Sequence, residues 1–588
     1  MVCGVVDAAD LKGLPGACRT CGRTRAEGAR PHPFPSADHP RAHPGTSGIA
    51  DRGALRVFSQ DRPLLKGTAA VAAAALLAGC GSLVEGGGRA GGAGSALTVG
   101  TTGAPTSLDP AGAWDGSWEL FRNVYQTLLY FPDSSGTPEP DAAQRCAFTD
   151  KASSVYRCVL REGLTFSNGS PLDAEAVKYS LERTLAIKAD TGPAQLLQSI
   201  DRIETSGDRT VVFHLRRPDA TFPLVLATPA ASLVDPSAYP ADRLLDSATV
   251  TGSGPYRLAS YERGERAELV RNREYEGSAE IKNAAVTIRY FEDPAEMVDE
   301  LGKGGIDLTY RGLTPEQISD LRRNRADHPD IKLSEVYGTE IRYLAFNPEH
   351  EPAGERAVRR AVAQVIDREE LVSEVYEGTA APLYSMVPSG ITGHTSAYHE
   401  EYGDEPGAEK AEAALEEAGI TGKVPLTLWY TTDRYGAGTE REFREIERQL
   451  EESGLFEITL EGRRWREFQK GVAEGEYQVF GRGWFPDFPD ADNYISPFVG
   501  KENVLGVPYE DADLTGGLLP RSRRLGDRSA AGDVLAEAQR ILAEDARLLP
   551  LWQGKLHIAA RDDVAGVEWS TDSSTIMRMW ELSRKKSW

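Results

Sequence analysis

In VLREGLTFSNGSPLDAEAVKYSLERTL, Val159–Leu185, Asp173 stands where a helix N-cap belongs, its carboxylate able to accept from the free backbone N–H groups of the first turn. Behind it, Ala174 to Leu185 carries Val177, Leu181 and Leu185 at every fourth position, a spacing that lines them into one buried stripe. Just upstream, Cys146 and Cys158 flank FTDKASSVYR in a region that reads as two strands and a turn, and downstream TVVFHL, Thr210–Leu215, reads as a strand. Short β-rich runs therefore alternate with helical ones, a mixed α/β pattern.

The same pattern continues further along the chain. Glu355 to Ile366 places Val358, Ala361, Val362 and Val365 on one helical face. Asp367 followed by Glu370 three positions later predicts a capping box that opens another helix. Core packing explains these helices, which carry no chemistry of their own. At 588 residues the chain exceeds one ordinary core and predicts two or three domains. A composition that is 40% hydrophobic and 26% charged fits a water-soluble globular body.

The N-terminal part reads differently. DRPLLKGTAAVAAAALLAGC, Asp61–Cys80, sets Arg62 and Lys66 before a run of small and apolar residues from Gly67 to Ala78. That length suits a signal-peptide core, whereas a transmembrane helix needs roughly 20 apolar residues. The ending Leu-Ala-Gly-Cys resembles the lipobox of bacterial lipoproteins, which implies lipid on Cys80 and removal of residues 1–79; an ordinary signal peptide with a coincidental cysteine is the alternative. The Pro-, His- and Arg-rich prefix 1–54 lies outside any such signal and reads as an over-extended start, with initiation near Leu55 or Val57. Residues 81–95, GSLVEGGGRAGGAGS, form a flexible tether. Gly86, Gly88 and Gly91 in it match G-x-G-x-x-G, but no strand precedes them and no helix follows, so no dinucleotide site is expected.

Residues 1–79 hold ten Lys and Arg against six Asp and Glu, a surplus of four, so of the total charge of −23 the remainder carries −27. Such a surface disfavours nucleic acid. Of six cysteines, only Cys146 and Cys158 remain beyond Cys80; an exported compartment permits a bridge between them, and two buried free thiols are the other reading.

Several blocks in order resemble the family 5 extracellular solute-binding proteins, which serve peptide and nickel ATP-binding-cassette importers. They are YQTLLYFPDSSGTPEPD (Tyr125–Asp141), the Val159–Leu185 stretch, and GSGPYRLASYERGERAELVRNREYEG (Gly252–Gly277) with its N-x-x-Y-x-G ending. After them come the long Tyr343–Pro382 block, AEKAEAALEEAGI (Ala408–Ile420) and GWFPDFPDADNYISPF (Gly483–Phe498). The resemblance implies a type II, two-lobed periplasmic-binding-protein-like α/β clamp with an extra subdomain inserted in lobe one. Lobe one would comprise 96–130, 250–335 and 555–588, the insertion 131–249, and lobe two 336–554. Ligand would bind between the lobes, and closure about the hinge would present a surface to a membrane permease. A monomer held at the extracytoplasmic face is the expected state.

In peptide-binding members the aspartate of the G-W-x-x-D-[YF] block pairs with the ligand's α-ammonium, and here that residue is Asp487. The resemblance gives ligand-binding roles to Arg482, Gly483 and Trp484 just before it: backbone pairing at Gly483, stacking or core filling by Trp484, and a carboxylate contact or simple exposure for Arg482. Asp487 has a plainer reading as a loop brace. Pro486 departs from the alanine common in peptide binders and removes one N–H donor. Six histidines remain in the body, and only His394 and His399 are close in sequence, a spacing unlike a dedicated metal site; nickel, a metal chelate or another solute is the alternative ligand. No G-x-S-x-G, H-E-x-x-H or Walker loop occurs, so no catalysis and no cofactor is expected, an extracellular peptidase being the remote alternative.

Overall fold

The computed structural model describes residues 96–132, 136–436 and 438–585. The signal segment, Cys80 and the Gly-rich run to Ser95 lie outside the described residues. Among those described, no helix is long and apolar enough to cross a membrane.

The backbone of the molecule is a mixed sheet of eleven strands. At its centre run two long antiparallel strands, Ile331–Phe346 and Leu548–Arg561. Their register holds from Ile331↔Arg561 to Tyr337↔Lys555, breaks, and resumes at Ile341↔Gln553. To one side of the pair lie Leu308–Thr309, Ala96–Thr101, Ala285–Tyr290, Arg266–Arg271 and Tyr256–Glu262. To the other lie Val479–Trp484, Val424–Thr431 and Phe456–Arg463. Each end has its own apolar core. Leu97, Val99, Phe121, Leu269, Ile288 and Ile558 belong to the first. In the second, Leu344, Val362, Leu428 and Ile446 cover one face of the sheet, and Tyr343, Phe480, Tyr494 and Leu542 cover the other. The molecule is thus a two-lobed α/β clamp whose lobes are joined through the two central strands.

Local sequence accounts for these elements. In Val424–Thr431, Val424, Leu426, Leu428 and Tyr430 are buried, the period-2 alternation of a strand with one face on a core. The helix Ala174–Ile187 begins where Asp173 accepts from the backbone N–H of Ala176 at 2.9 Å and ends at Lys188 in the left-handed region. Val177 and Leu181 on its stripe are fully buried, and each apolar side chain of that size contributes roughly 1.5–3 kcal/mol when removed from water. They pack on a separate antiparallel sheet ordered Ala143–Phe148, Val155–Leu160, Thr210–Leu215, Ile200–Ser206. Cys146 and Cys158 face each other across its first two strands and form a disulfide.

The helix anticipated at Glu355–Ile366 spans Arg356–Val365. The capping box at Asp367 is half formed. Asp367 accepts from the Glu370 N–H at 2.8 Å, but its own N–H donates to the Gln449 side chain at 2.9 Å rather than to Glu370. A neighbouring helix, Gly438–Glu452, supplies that acceptor, a tertiary contact that local spacing does not reveal.

Candidate functional site

The break in the central register falls at Gly338, Thr339 and Glu340, opposite Gly554. Irregularities of this kind bend a strand and redirect its side chains. Gly338 lies so close to the partner strand that a Cβ there would meet the Gly554 carbonyl oxygen at 2.6 Å. The carbonyls freed by the break are not left bare: Gln553 Nε2 donates to Gly338 O at 2.7 Å, and Tyr494 Oη donates to Thr339 O at 2.7 Å. A cavity of about 150 Å³ sits directly on this crossing. Trp114, Trp118, Glu119 and Arg311 line it from the first lobe, Phe485, Pro486 and Asp487 from the second, and Glu340 and Lys555 from the crossing strands.

Asp487 is the chemical centre of this cleft. It is only 4% exposed. Trp114 Nε1 donates to its Oδ1 at 3.0 Å and Asn493 Nδ2 to its Oδ2 at 3.1 Å, while its own N–H donates to Asn493 Oδ1 at 2.9 Å. No ion pair to Asp487 occurs among the described residues. Burial pushes its carboxyl up to about 7, although the Asn493 and Trp114 hydrogen bonds act in the opposite direction. A buried carboxylate held only by neutral donors carries an unmet demand for positive charge.

Arg311, Glu119 and Lys555 in the cleft have charged partners. Arg311 Nε donates to Glu119 Oε1 at 2.7 Å, and its Nη2 donates to Thr575 O and Oγ1, both at 3.1 Å. Burial raises the Glu119 carboxyl, and Arg311 pulls it back. Lys555 pairs with Glu335 at 3.0 Å.

Residues expected around Asp487 are distributed by strand alternation. Phe480, Arg482 and Trp484 turn to one face of Val479–Trp484, and Trp484 packs edge-on against Phe498 with ring centroids 5.0 Å apart. Trp484 therefore fills the core of the lobe and does not line the cleft. Arg482, which sequence left free to lie exposed, is buried and donates from Nη1 to the Val504 carbonyl. Gly483 pairs with Arg342 in the sheet, and a Cβ there would meet Arg342 Nη1 at 2.3 Å. Arg342 itself lies 4.2 Å from the Tyr435 ring centre, 4.9 Å from Trp552 and 5.4 Å from Phe485. Pro486 follows the last paired residue, Trp484, so its missing N–H takes no bond from the sheet.

Trp114, Glu119, Arg311 and Glu340 escaped sequence reasoning. The one available signal was AWDGSW, two tryptophans four residues apart, Trp114 and Trp118. His394 and His399 have separate partners: His394 Nδ1 lies 2.7 Å from Val387 O, and the His399 ring meets Tyr384 edge-on. Among the described residues no group of three or more His, Cys, Asp or Glu is arranged to hold a metal ion.

Comparison with known proteins gives a consistent picture. The profile of bacterial extracellular solute-binding proteins, family 5 Middle, matches residues 137–506. The probable D,D-dipeptide-binding periplasmic protein DdpA of Escherichia coli (strain K12) is 26% identical over 488 residues, 80% of this chain and 90% of that protein. Di/tripeptide-binding protein 2 of Pseudomonas aeruginosa is 26% identical over 511 residues, 81% of this chain and 93% of that protein. Among solved structures, the periplasmic binding protein DppA from Helicobacter pylori in complex with the peptide STSA superposes with a TM-score of 0.69 at 22% identity, covering 84% of this chain and 98% of that one.

Proposed function

Because the chain belongs to the family 5 bacterial extracellular solute-binding proteins, we propose that it captures short peptides with a free amino terminus and delivers them to an ATP-binding-cassette permease. The observation that carries this reading is Asp487, a carboxylate buried between the lobes with no cation beside it among the described residues. An α-ammonium entering the cavity supplies the missing charge and forms a charge-assisted bond. The names of the relatives, a D,D-dipeptide binder and a di/tripeptide binder, support the ligand class.

The protein is a binder and not an enzyme. Capture works by hinge closure at Gly338–Glu340 and Gly554, lobe one being 96–130, 250–335 and 555–588, the insertion 131–249, and lobe two 336–554. In this reading the mature chain is a monomer anchored by lipid on Cys80, which keeps the clamp near its permease. Two acyl chains give durable anchoring, each buried methylene contributing roughly 0.8 kcal/mol.

The test is calorimetric titration of the wild type and Asp487→Asn with trialanine and N-acetyl-trialanine. The substitution should weaken binding of the free-amine peptide at least about tenfold and leave the acetylated one unchanged. Equal losses for both peptides would assign Asp487 a structural role instead.

A further inference from the structure

The break in the central strands also frees a charge. Glu340 is the last residue before regular pairing resumes at Ile341, and its side chain is 28% exposed. Gly554 on the facing strand makes room for it, since a Cβ there would meet Glu340 Cγ at 2.6 Å. Two glycines therefore shape the crossing: Gly338 lets the backbones approach, and Gly554 lets a carboxylate stand beside them. That carboxylate lines the same cavity as Asp487.

No cation among the described residues answers Glu340 at bonding distance. The nearest, Arg342 Nη2, stands 3.8 Å from its Oε1, beyond hydrogen-bond length. Arg342 lies over the rings of Tyr435 and Trp552 and also faces the buried Glu442. Burial raises the Glu442 carboxyl, while the Tyr376 hydrogen bond and the Arg342 charge draw it back down. One guanidinium is thus shared between two carboxylates. Arg311 is bonded to Glu119 at 2.7 Å. Burial works against the Arg311 charge, and Tyr310, Glu119 and then Glu340 hold it above its ordinary value, Glu340 acting through space only. Lys555 turns to Glu335, 3.0 Å away and outside the cavity lining. The lining therefore sets Asp115, Glu119, Glu340 and Asp487 against Arg311 and Lys555, and an ammonium at Asp487 still leaves Glu340 unanswered.

We propose that Glu340 is a specificity-determining residue that receives a second positive charge of the ligand, so that the clamp favours peptides with a lysine or arginine side chain and disfavours acidic ones. A basic side chain that reaches the strand break forms a charge-assisted bond with the carboxylate. The walls there include Trp114, Trp118 and Phe485, and apolar surroundings strengthen such a pair relative to water. An acidic side chain in the same place meets like charge instead, which costs affinity. The inference rests on the peptide reading above but not on Asp487 holding the α-ammonium.

The experiment is calorimetric titration of the wild type and Glu340→Gln with trialanine and with tripeptides in which lysine, norleucine or glutamate replaces each alanine in turn. Norleucine keeps the lysine stem without its ammonium, so the ratio of the two affinities isolates the charge. At one position the lysine peptide should bind the wild type at least about tenfold more tightly than its norleucine counterpart, with the glutamate peptide weakest. Glu340→Gln should remove that preference. In the wild type itself, salt raised to about 1 M, where the screening length is about 3 Å, should shrink the same ratio, which serves where the variant does not fold. Trialanine binding with no lysine preference at any position, or a preference that survives Glu340→Gln, would overturn the role of Glu340 and leave the peptide reading standing. Binding of none of these peptides would overturn both.

Discussion

At the scale of the residue, the chemistry of the cleft turns on a carboxyl pushed up to about 7 by burial. An aspartate raised above its unfolded value binds a proton more readily in the folded, empty protein, so folding stability falls as pH rises between the two values. Asp487→Asn removes that dependence, and thermal unfolding at pH 5 and pH 8 should differ less in the variant than in the wild type. On the proposed reading an ammonium ligand reverses the shift, because it favours the ionised form. Below about pH 7 capture must therefore release a proton, and trialanine affinity should rise by up to about tenfold per pH unit from pH 5 before levelling off. Calorimetry in buffers of different ionisation enthalpy reads the proton directly. Asp487 was legible in the sequence because its block is short and distinctive. The sequence left Trp484 open between stacking and core filling, and Arg482 between a carboxylate contact and exposure, because a strand's alternation is visible in sequence but which of its faces meets the cleft is not.

Among the elements, the separate four-stranded sheet and its helix were the most readable. Its helix was recognised from an N-cap and a stripe, and the Cys146–Cys158 pair from its place between two strands. Replacing both cysteines with serine should cost about 3 kcal/mol of the insertion's stability through the freed loop, seen as faster limited proteolysis of 143–215. The central crossing was not readable. Gly338 has no turn signal around it; its need for glycine arises from the approach of Gly554 O to 2.6 Å from where a Cβ would stand. Gly338→Ala should cost roughly 1–3 kcal/mol and lower the melting temperature, with the loss confined to the crossing strands. The helix after Asp367 shows the same limit on a smaller scale, since Gln449, more than eighty residues away, completes its first turn.

For the molecule as a whole, closure is the functional event, and ligand stabilises the closed form only by its differential affinity for it. A ligand at 100 times its Kd should raise folding stability by about 2.7 kcal/mol, measurable as a thermal shift, and a tenfold loss of affinity in Asp487→Asn should cut that gain to about 1.4 kcal/mol for free-amine peptides. The sequence by itself determined the α/β class, the order of the blocks and the capped helix after Asp173, since each is written in residues close along the chain; it offered the cysteine bridge and the role of Asp487 as one reading each. Only the tertiary structure decided that Trp114 faces Asp487, that Phe488 enters the insertion's core, and that Arg311 is spent on Glu119. Those partners lie between 192 and 373 residues apart for the two side-chain bonds, and no local periodicity carries information over such a span. They meet because two long strands cross between the lobes and bring their surfaces together over one cavity.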